Sequence, residues 1–224
     1  MIIVCTHKSP SILEKCLKSI RQFSKENHKI LVVETSDSNI SEDITKEYNC
    51  VFTNSILKYE IGAFNHAITE HPSEPEYFMF QDSVEILTYD WENMFRSPSN
   101  GEKLVALCSY RLSEDPCYGC GKVFFEKTFK KPFPTNQSYG VMTNSFYITQ
   151  SARKKLLEFG IDKIVATNKN DTYDSERLIG AIAFYSCGIT STANIVGDWI
   201  WDGTHFRQNT GFTKYIYKHI IRRQ

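Results

Sequence analysis

Several things this chain of 224 residues lacks narrow what it can be. It has no excess charge: 26 Lys and Arg balance 26 Asp and Glu. Without a global field to hold a polyanion, nucleic acid is not an expected partner unless a local patch binds it. No apolar run approaches the ~18 residues of a membrane-spanning helix. The opening MIIVCTHKSP reads as a short apolar strand rather than a secretion signal. The seven cysteines, at 5, 16, 50, 108, 117, 120 and 187, are odd in number and scattered. That excludes a disulfide framework and predicts reduced thiols in a cytoplasmic compartment. GxGxxG does not follow the first apolar run and GxxxxGK[ST] occurs nowhere, so neither a dinucleotide fold nor a P-loop enzyme is supported. Repeats, low-complexity segments and linkers are also missing, which predicts one domain over 1–224.

What is present supports a sizeable core: 41% hydrophobic residues, among them 15 Phe and 12 Tyr. The first eighty residues alternate strand and helix. Ile2–Val4, Lys29–Val33, Val51–Phe52 and Tyr77–Phe80 are apolar runs of the kind buried parallel strands show. Between the first two, Ser9-Pro10 offers an N-cap and a proline at the first helical position. Ile12, Leu13, Cys16, Leu17, Ile20 and Phe23 then share one helical face. Helices are also predicted over 41–48 and 61–71. The pattern implies an α/β fold with a mostly parallel, Rossmann-like sheet and right-handed crossovers. Beyond residue 90 the spacing predicts a strand at 104–110, an irregular excursion over 113–140, and a strand at 145–148. Helices follow at 152–159, closed by Gly160, and at 175–186, closed by Gly188. A terminal helix is predicted over 213–223.

Ligands of open parallel sheets bind beyond the carboxyl ends of the strands. Three such ends carry distinctive residues here: Thr6-His7, Glu34-Thr35-Ser36-Asp37-Ser38 and Gln81-Asp82-Ser83. With no glycine loop to cradle phosphates, a carboxylate-bound divalent cation is the alternative counterion.

The order of these segments resembles the GT-A glycosyltransferases, the inverting family-2 type in particular. IIVCTHKSPSILEKCLKSI and ILVVETSDSN resemble the opening strand, helix and acidic nucleotide-binding turn of that family. IGAFNHAI resembles the helix beneath the donor diphosphate, with Asn65 at its asparagine. YFMFQDSVEI falls where the family carries its Asp-x-Asp metal motif. NSFYITQSARKKLLEFG, TYDSERLIGAIAFYSCG and WDGTHF resemble the acceptor-side strand and helix, the base-bearing acidic helix and a late histidine.

The resemblance implies a single-domain GT-A fold. Residues 1–110 would form the nucleotide-sugar-binding half and 111–224 the acceptor-binding half. It implies transfer of a sugar from a nucleotide-sugar, a UDP-sugar foremost, to a glycan, lipid or protein hydroxyl. Thr6, His7, Glu34, Asp37, Asn65, Gln81 and Asp82 would contact the donor. Asp82, Ser83 and His205 would hold Mn²⁺ or Mg²⁺, with Glu85 as a substitute. Asp174 or Glu176 would be the base, Asp174 favoured because it would precede the last long helix. The Gln81-Asp82-Ser83 motif departs from two aspartates. That keeps open a catalytically inactive nucleotide-sugar or glycan-binding module; a sugar-phosphate nucleotidyltransferase is a further alternative. Plainer readings stand beside these: Asp82 as a turn residue, the 34–38 loop as a solvated turn, Asp174 as a helix N-cap. Cys117-Tyr118-Gly119-Cys120 cannot close a tetrahedral zinc site alone and reads as a mobile loop closing over substrate. FTKYIYKHIIRRQ is either a helix at an anionic membrane surface or a segment docked on the protein.

Overall fold

A computed structural model describes the chain except residues 8, 38, 40, 100–103, 108, 115–118, 142–143, 189–190, 193–198, 202–205, 209–215 and 219–224. Its first half runs β1 (Ile2–Thr6), α1 (Pro10–Phe23), β2 (Ile30–Glu34), α2 (Glu42–Glu47), β3 (Val51–Asn54), α3 (Tyr59–Glu70), β4 (Glu76–Gln81), β5 (Val84–Ile86) and α4 (Trp91–Ser99). The second half runs β6 (Val105–Ala106), β7 (Ser109–Arg111), α5 (Gly119–Phe129), β8 (Tyr139–Val141), β9 (Phe146–Thr149), α6 (Gln150–Phe159) and α7 (Lys169–Cys187). Short strands β10 (Ser191–Thr192), β11 (Trp199–Trp201), β12 (Phe206–Gln208) and β13 (Ile216–Lys218) complete it.

Among the described residues seven strands form the central sheet, in the order β10-β6-β9-β4-β1-β2-β3, and of these β9 alone runs against the others. Every residue of β1 and β2 is buried, which is why those stretches are apolar without alternation. The crossover helices pack their apolar stripes onto the two faces. Pro10 opens α1 as expected, but Ser9 does not cap it; its hydroxyl donates to the His7 carbonyl instead. Ser19 of α1, buried, donates to the Cys16 carbonyl and accepts from the Ile86 amide at 2.9 Å, pinning β5 to that helix.

Phe78, fully buried in β4, centres an aromatic cluster with His28, Phe80, Trp91, Phe95 and Tyr147. A second cluster joins Phe125 and Phe129 of α5, Phe159 of α6 and Tyr185 of α7.

Three expectations are corrected here. The stretch 104–110 is not one strand. It breaks after β6, and β7 leaves the sheet to pair with β8. The 113–140 excursion contains α5, so the mobile loop expected around Cys120 is instead the start of a helix at Gly119. Phe125 and Phe129, four apart, bury one face of that helix and outweigh the glycines in its first turn. The terminal helix is not formed at 216–218, which is β13, paired antiparallel with β5 in the register Tyr217↔Glu85. β-branched and aromatic residues suit a strand when a partner edge is available. The interfacial helix that would have touched a membrane is therefore not present there. Among the described residues no helix is long and apolar enough to cross a membrane.

At the amino edge of the sheet Arg96 donates to both Glu26 oxygens, at 2.6 and 2.9 Å, and to Glu76, which also accepts from the Tyr147 hydroxyl. The Arg96 hydrogen bond holds the Glu26 carboxyl below its usual range. Burial pushes Glu76 up, yet the bonds from Arg96 and Tyr147 outweigh it and its net shift is downward.

Two outcomes follow for stability. Phe78→Ala should cost about 3–5 kcal/mol in urea unfolding. Carboxyls with lowered folded-state values stabilise the protein fully above their ordinary value of 4.5 and lose that contribution as pH falls through the lowered values. Urea midpoints followed from about pH 7 to about pH 3 should therefore fall less steeply in Arg96→Met than in the wild type.

Candidate functional site

At the carboxyl edge, register aligns Asn54, Glu34 and Thr6 across β3, β2 and β1, and Cys5 with Gln81 across β1 and β4. The ladder continues one step further, the Asp82 amide donating to the Cys5 carbonyl at 2.9 Å. Asp82 is buried, and its Oδ2 accepts the Thr6 hydroxyl at 2.8 Å. The Thr6 carbonyl accepts from both the amide and the hydroxyl of Thr35. The structure thus joins Thr6, Asp82 and Gln81 at one point, with Glu34 on the adjoining strand end.

Glu34 is 0% exposed. Its Oε1 accepts from the Ser36 amide at 3.0 Å and its Oε2 from the Ser41 hydroxyl at 2.9 Å. Those bonds shape the loop between β2 and α2. Asp37, on the outside of that loop, is exposed and accepts from Lys58 Nζ at 2.7 Å. His7 is exposed at the exit of β1, and Ser83 is buried beside Asp82. Asn65 lies buried on the inner side of α3, where its amide nitrogen donates to the Ile164 carbonyl at 3.2 Å. It ties α3 to the segment before α7.

One residue of this edge has no precedent in the sequence reading. Glu60, in the first turn of α3, accepts from the Gln81 side chain through Oε1, while its Oε2 is buried without a hydrogen-bond partner. Its turn is tightly held. Tyr59 has φ 63°, an uncommon value for an aromatic residue, and a Cβ on Gly62 would lie 2.6 Å from the Leu57 carbonyl carbon. The sequence pattern starts the helix at Ile61, so Glu60 falls just outside it; extending the apolar face by one turn would have found it.

Cys5 senses all three acids. Burial pushes its thiol well up, and the carboxylates of Glu60, Asp82 and Glu34 add to that against a hydrogen bond with Thr35. The thiol is a neutral filler there, not a nucleophile.

The turn of α7 that carries Asp174 and Glu176 is tied to this edge through the segment before β9. Because β9 is antiparallel and pairs Phe146 with Met79, the chain enters it from Asn144 and Ser145 beside the carboxyl ends of β4 and β6. The Leu107 amide bonds the Ser145 carbonyl there at 2.8 Å. Asn144 and Ser175 exchange hydrogen bonds, the Asn144 amide donating at 3.0 Å. Asp174 and Glu176 flank Ser175, each about 100° round α7 from it.

Asp174, however, does not precede this helix. The N-cap is Asn168, in a capping box with Asp171, and Asp174 stands in the second turn. The Thr167 hydroxyl, with nearby backbone amides, holds the Asp171 carboxyl below its usual range. Neither the cap role for Asp174 nor the argument that favoured it over Glu176 survives. α7 is also pressed against β8: a Cβ on Gly180 would lie 1.7 Å from the Tyr139 carbonyl oxygen.

His205 lies outside the described residues. Elsewhere, Glu26, His28 and Glu76 offer ligand atoms within 4.8 Å of one another, but at the amino edge, where Arg96 already neutralises two of them.

Residues 1–158 match the family model for glycosyl transferase family 2. No curated protein matches the chain. Among solved structures, S. aureus TarS is similar with a TM-score of 0.52 at 13% identity, over 98% of this chain and 36% of that one. A mannosyltransferase, PcManGT from Pyrobaculum calidifontis in complex with GDP-Man and Mn²⁺, gives 0.49 at 12% identity over 85% and 53%. A cytidylyltransferase from Leptospira borgpetersenii gives 0.49 at 12% over 96% and 79%. The chain thus spans about half the length of PcManGT and about a third of TarS.

The cap is open to test by mutation: Asn168→Ala should destabilise the protein by about 1 kcal/mol in urea unfolding.

Proposed function

The chain belongs to glycosyl transferase family 2, and on that premise we propose that it moves a sugar from a nucleoside-diphosphate sugar, a UDP-sugar foremost, to an acceptor hydroxyl with inversion. Its sheet, six strands parallel and one antiparallel between helices, is that of the GT-A fold. The observation that supports the reading is the bond of Thr6 to Asp82 where β1 and β4 end, with Glu60 bonded to the neighbouring Gln81 and the turn carrying Asp174 and Glu176 tied to the same edge.

In this reading the half formed by 1–110 holds the donor. Asp37 and His7 receive the nucleoside and ribose, on the edge that buried Glu34 and Thr6 hold in shape, while Gln81 and Asp82 face the diphosphate. Asn65 supports the donor from below by holding α3 to Ile164. The acceptor, a glycan, lipid or protein hydroxyl, lies on the side of 111–224. Asp174 or Glu176 takes the proton of that hydroxyl as its oxygen bonds to the anomeric carbon and the diphosphate departs from the opposite face.

The donor set fits a divalent ion. Asp82 is a hard oxygen donor at a strand end, and an unpartnered carboxylate oxygen lies buried in the adjoining first turn of α3. Asp82, with Ser83 and His205, would hold Mn²⁺ or Mg²⁺. When bound, such an ion offsets the charge of the leaving nucleoside diphosphate.

One observation favours a second reading. Ser83 and Val84 follow Asp82, so the strand end itself offers a single acid. A nucleotide-sugar-binding protein without turnover would need no more.

Calorimetric titration with UDP and Mn²⁺, paired with a donor-hydrolysis assay over several nucleotide-sugars, decides between these. The transferase predicts binding with turnover, and Asp82→Asn should lower turnover by about 10²–10³. Binding without turnover from any donor selects the second reading. No affinity for any nucleoside diphosphate at about millimolar ligand sinks both.

A further inference from the structure

We propose that Glu60 supplies the second carboxylate of the cation site, opposite Asp82, from the first turn of α3 rather than from the motif after β4. The inference rests on the transferase reading and makes it specific to this chain.

Four observations carry it. Past Asp82 the next acid is Glu85, which lies within β5 between Val84 and Ile86. Those two are buried in the core, so strand alternation turns Glu85 away from it, alongside β13. Glu60 by contrast is bonded to Gln81, the residue before Asp82. Its remaining oxygen is buried without a partner, a costly state for a carboxylate unless a cation meets it. A divalent ion prefers such oxygens and tightens with the number of charged ligands. The turn is also fixed from below by the close approach of Leu57 to Gly62, so Glu60 does not have to be ordered when the ion arrives.

The test follows free Mn²⁺ by electron paramagnetic resonance as it is titrated into the full chain with UDP, for wild type, Glu60→Gln and Asp82→Asn. The glutamine variant keeps an acceptor for Gln81 and removes only the charge. It should weaken Mn²⁺ binding about tenfold or more, as Asp82→Asn does, with UDP affinity in EDTA and far-UV circular dichroism unchanged. Glu60→Cys gives an independent readout should the first variant fail to fold. Relative to wild type, which already carries Cys5, it should shift preference from Mn²⁺ to Cd²⁺. Wild-type Mn²⁺ affinity in Glu60→Gln alongside its loss in Asp82→Asn overturns the assignment. If wild type binds UDP but takes up no Mn²⁺, the Glu60 assignment falls and the transferase reading stands. If it binds neither UDP nor another nucleoside diphosphate, the transferase reading falls as well.

Discussion

Thr6 gives its hydroxyl to Asp82 and its carbonyl to both polar groups of Thr35, so the ends of β1, β2 and β4 meet at one residue. A parallel sheet this deeply buried leaves its polar groups few partners except one another. Where the strands stop, the last carbonyls and the first polar side chains must satisfy each other within a few ångströms. Thr6 does this with one short side chain. The same bonds that end the sheet therefore fix Asp82 in place and set the floor on which a ligand would rest. Glu34 completes the arrangement by closing the next loop on its own two oxygens.

The two edges of the sheet differ in kind. At the amino edge Arg96 serves Glu26 and Glu76 together, and the aromatic rings around Phe78 pack directly above. At the carboxyl edge buried Glu34 and Asp82 rest on amide and hydroxyl donors, and a buried carboxylate oxygen of Glu60 goes unmatched. Folding alone gives no reason to gather acids in this way. Proteins tolerate such local conflict where a site is used and compensate elsewhere.

Much of the first half was legible because β1, β2 and β4 are uninterrupted apolar runs that stop at Thr6, Glu34 and Gln81. A fully buried strand hides nothing in alternation, and its polar terminus marks where a ligand can reach. Gly160 likewise declared itself, since its φ of 107° suits glycine. What stayed hidden depends on partners remote in sequence or on weak local signals. Asn168 and Asp171 stand three apart, the spacing of a capping box, but the residues between them are polar and give no apolar period. The helix pattern could have located Glu60, but not its bond with Gln81, twenty-one positions away. The strand at 216–218 needs the edge of β5, and an isolated reading of its basic and aromatic residues favours a helix.

That last pairing has a consequence for how the molecule is made. β5 begins two residues after Asp82, yet its partner is synthesised about 130 residues later. Contacts of such long separation form late, because the intervening chain must surrender its freedom before the pairing repays it. On the ribosome the sheet can assemble around β1 while the wall beside its acidic end is still missing. Until residues 216–218 emerge, β5 presents a bare edge to its surroundings, and other strands can compete for it.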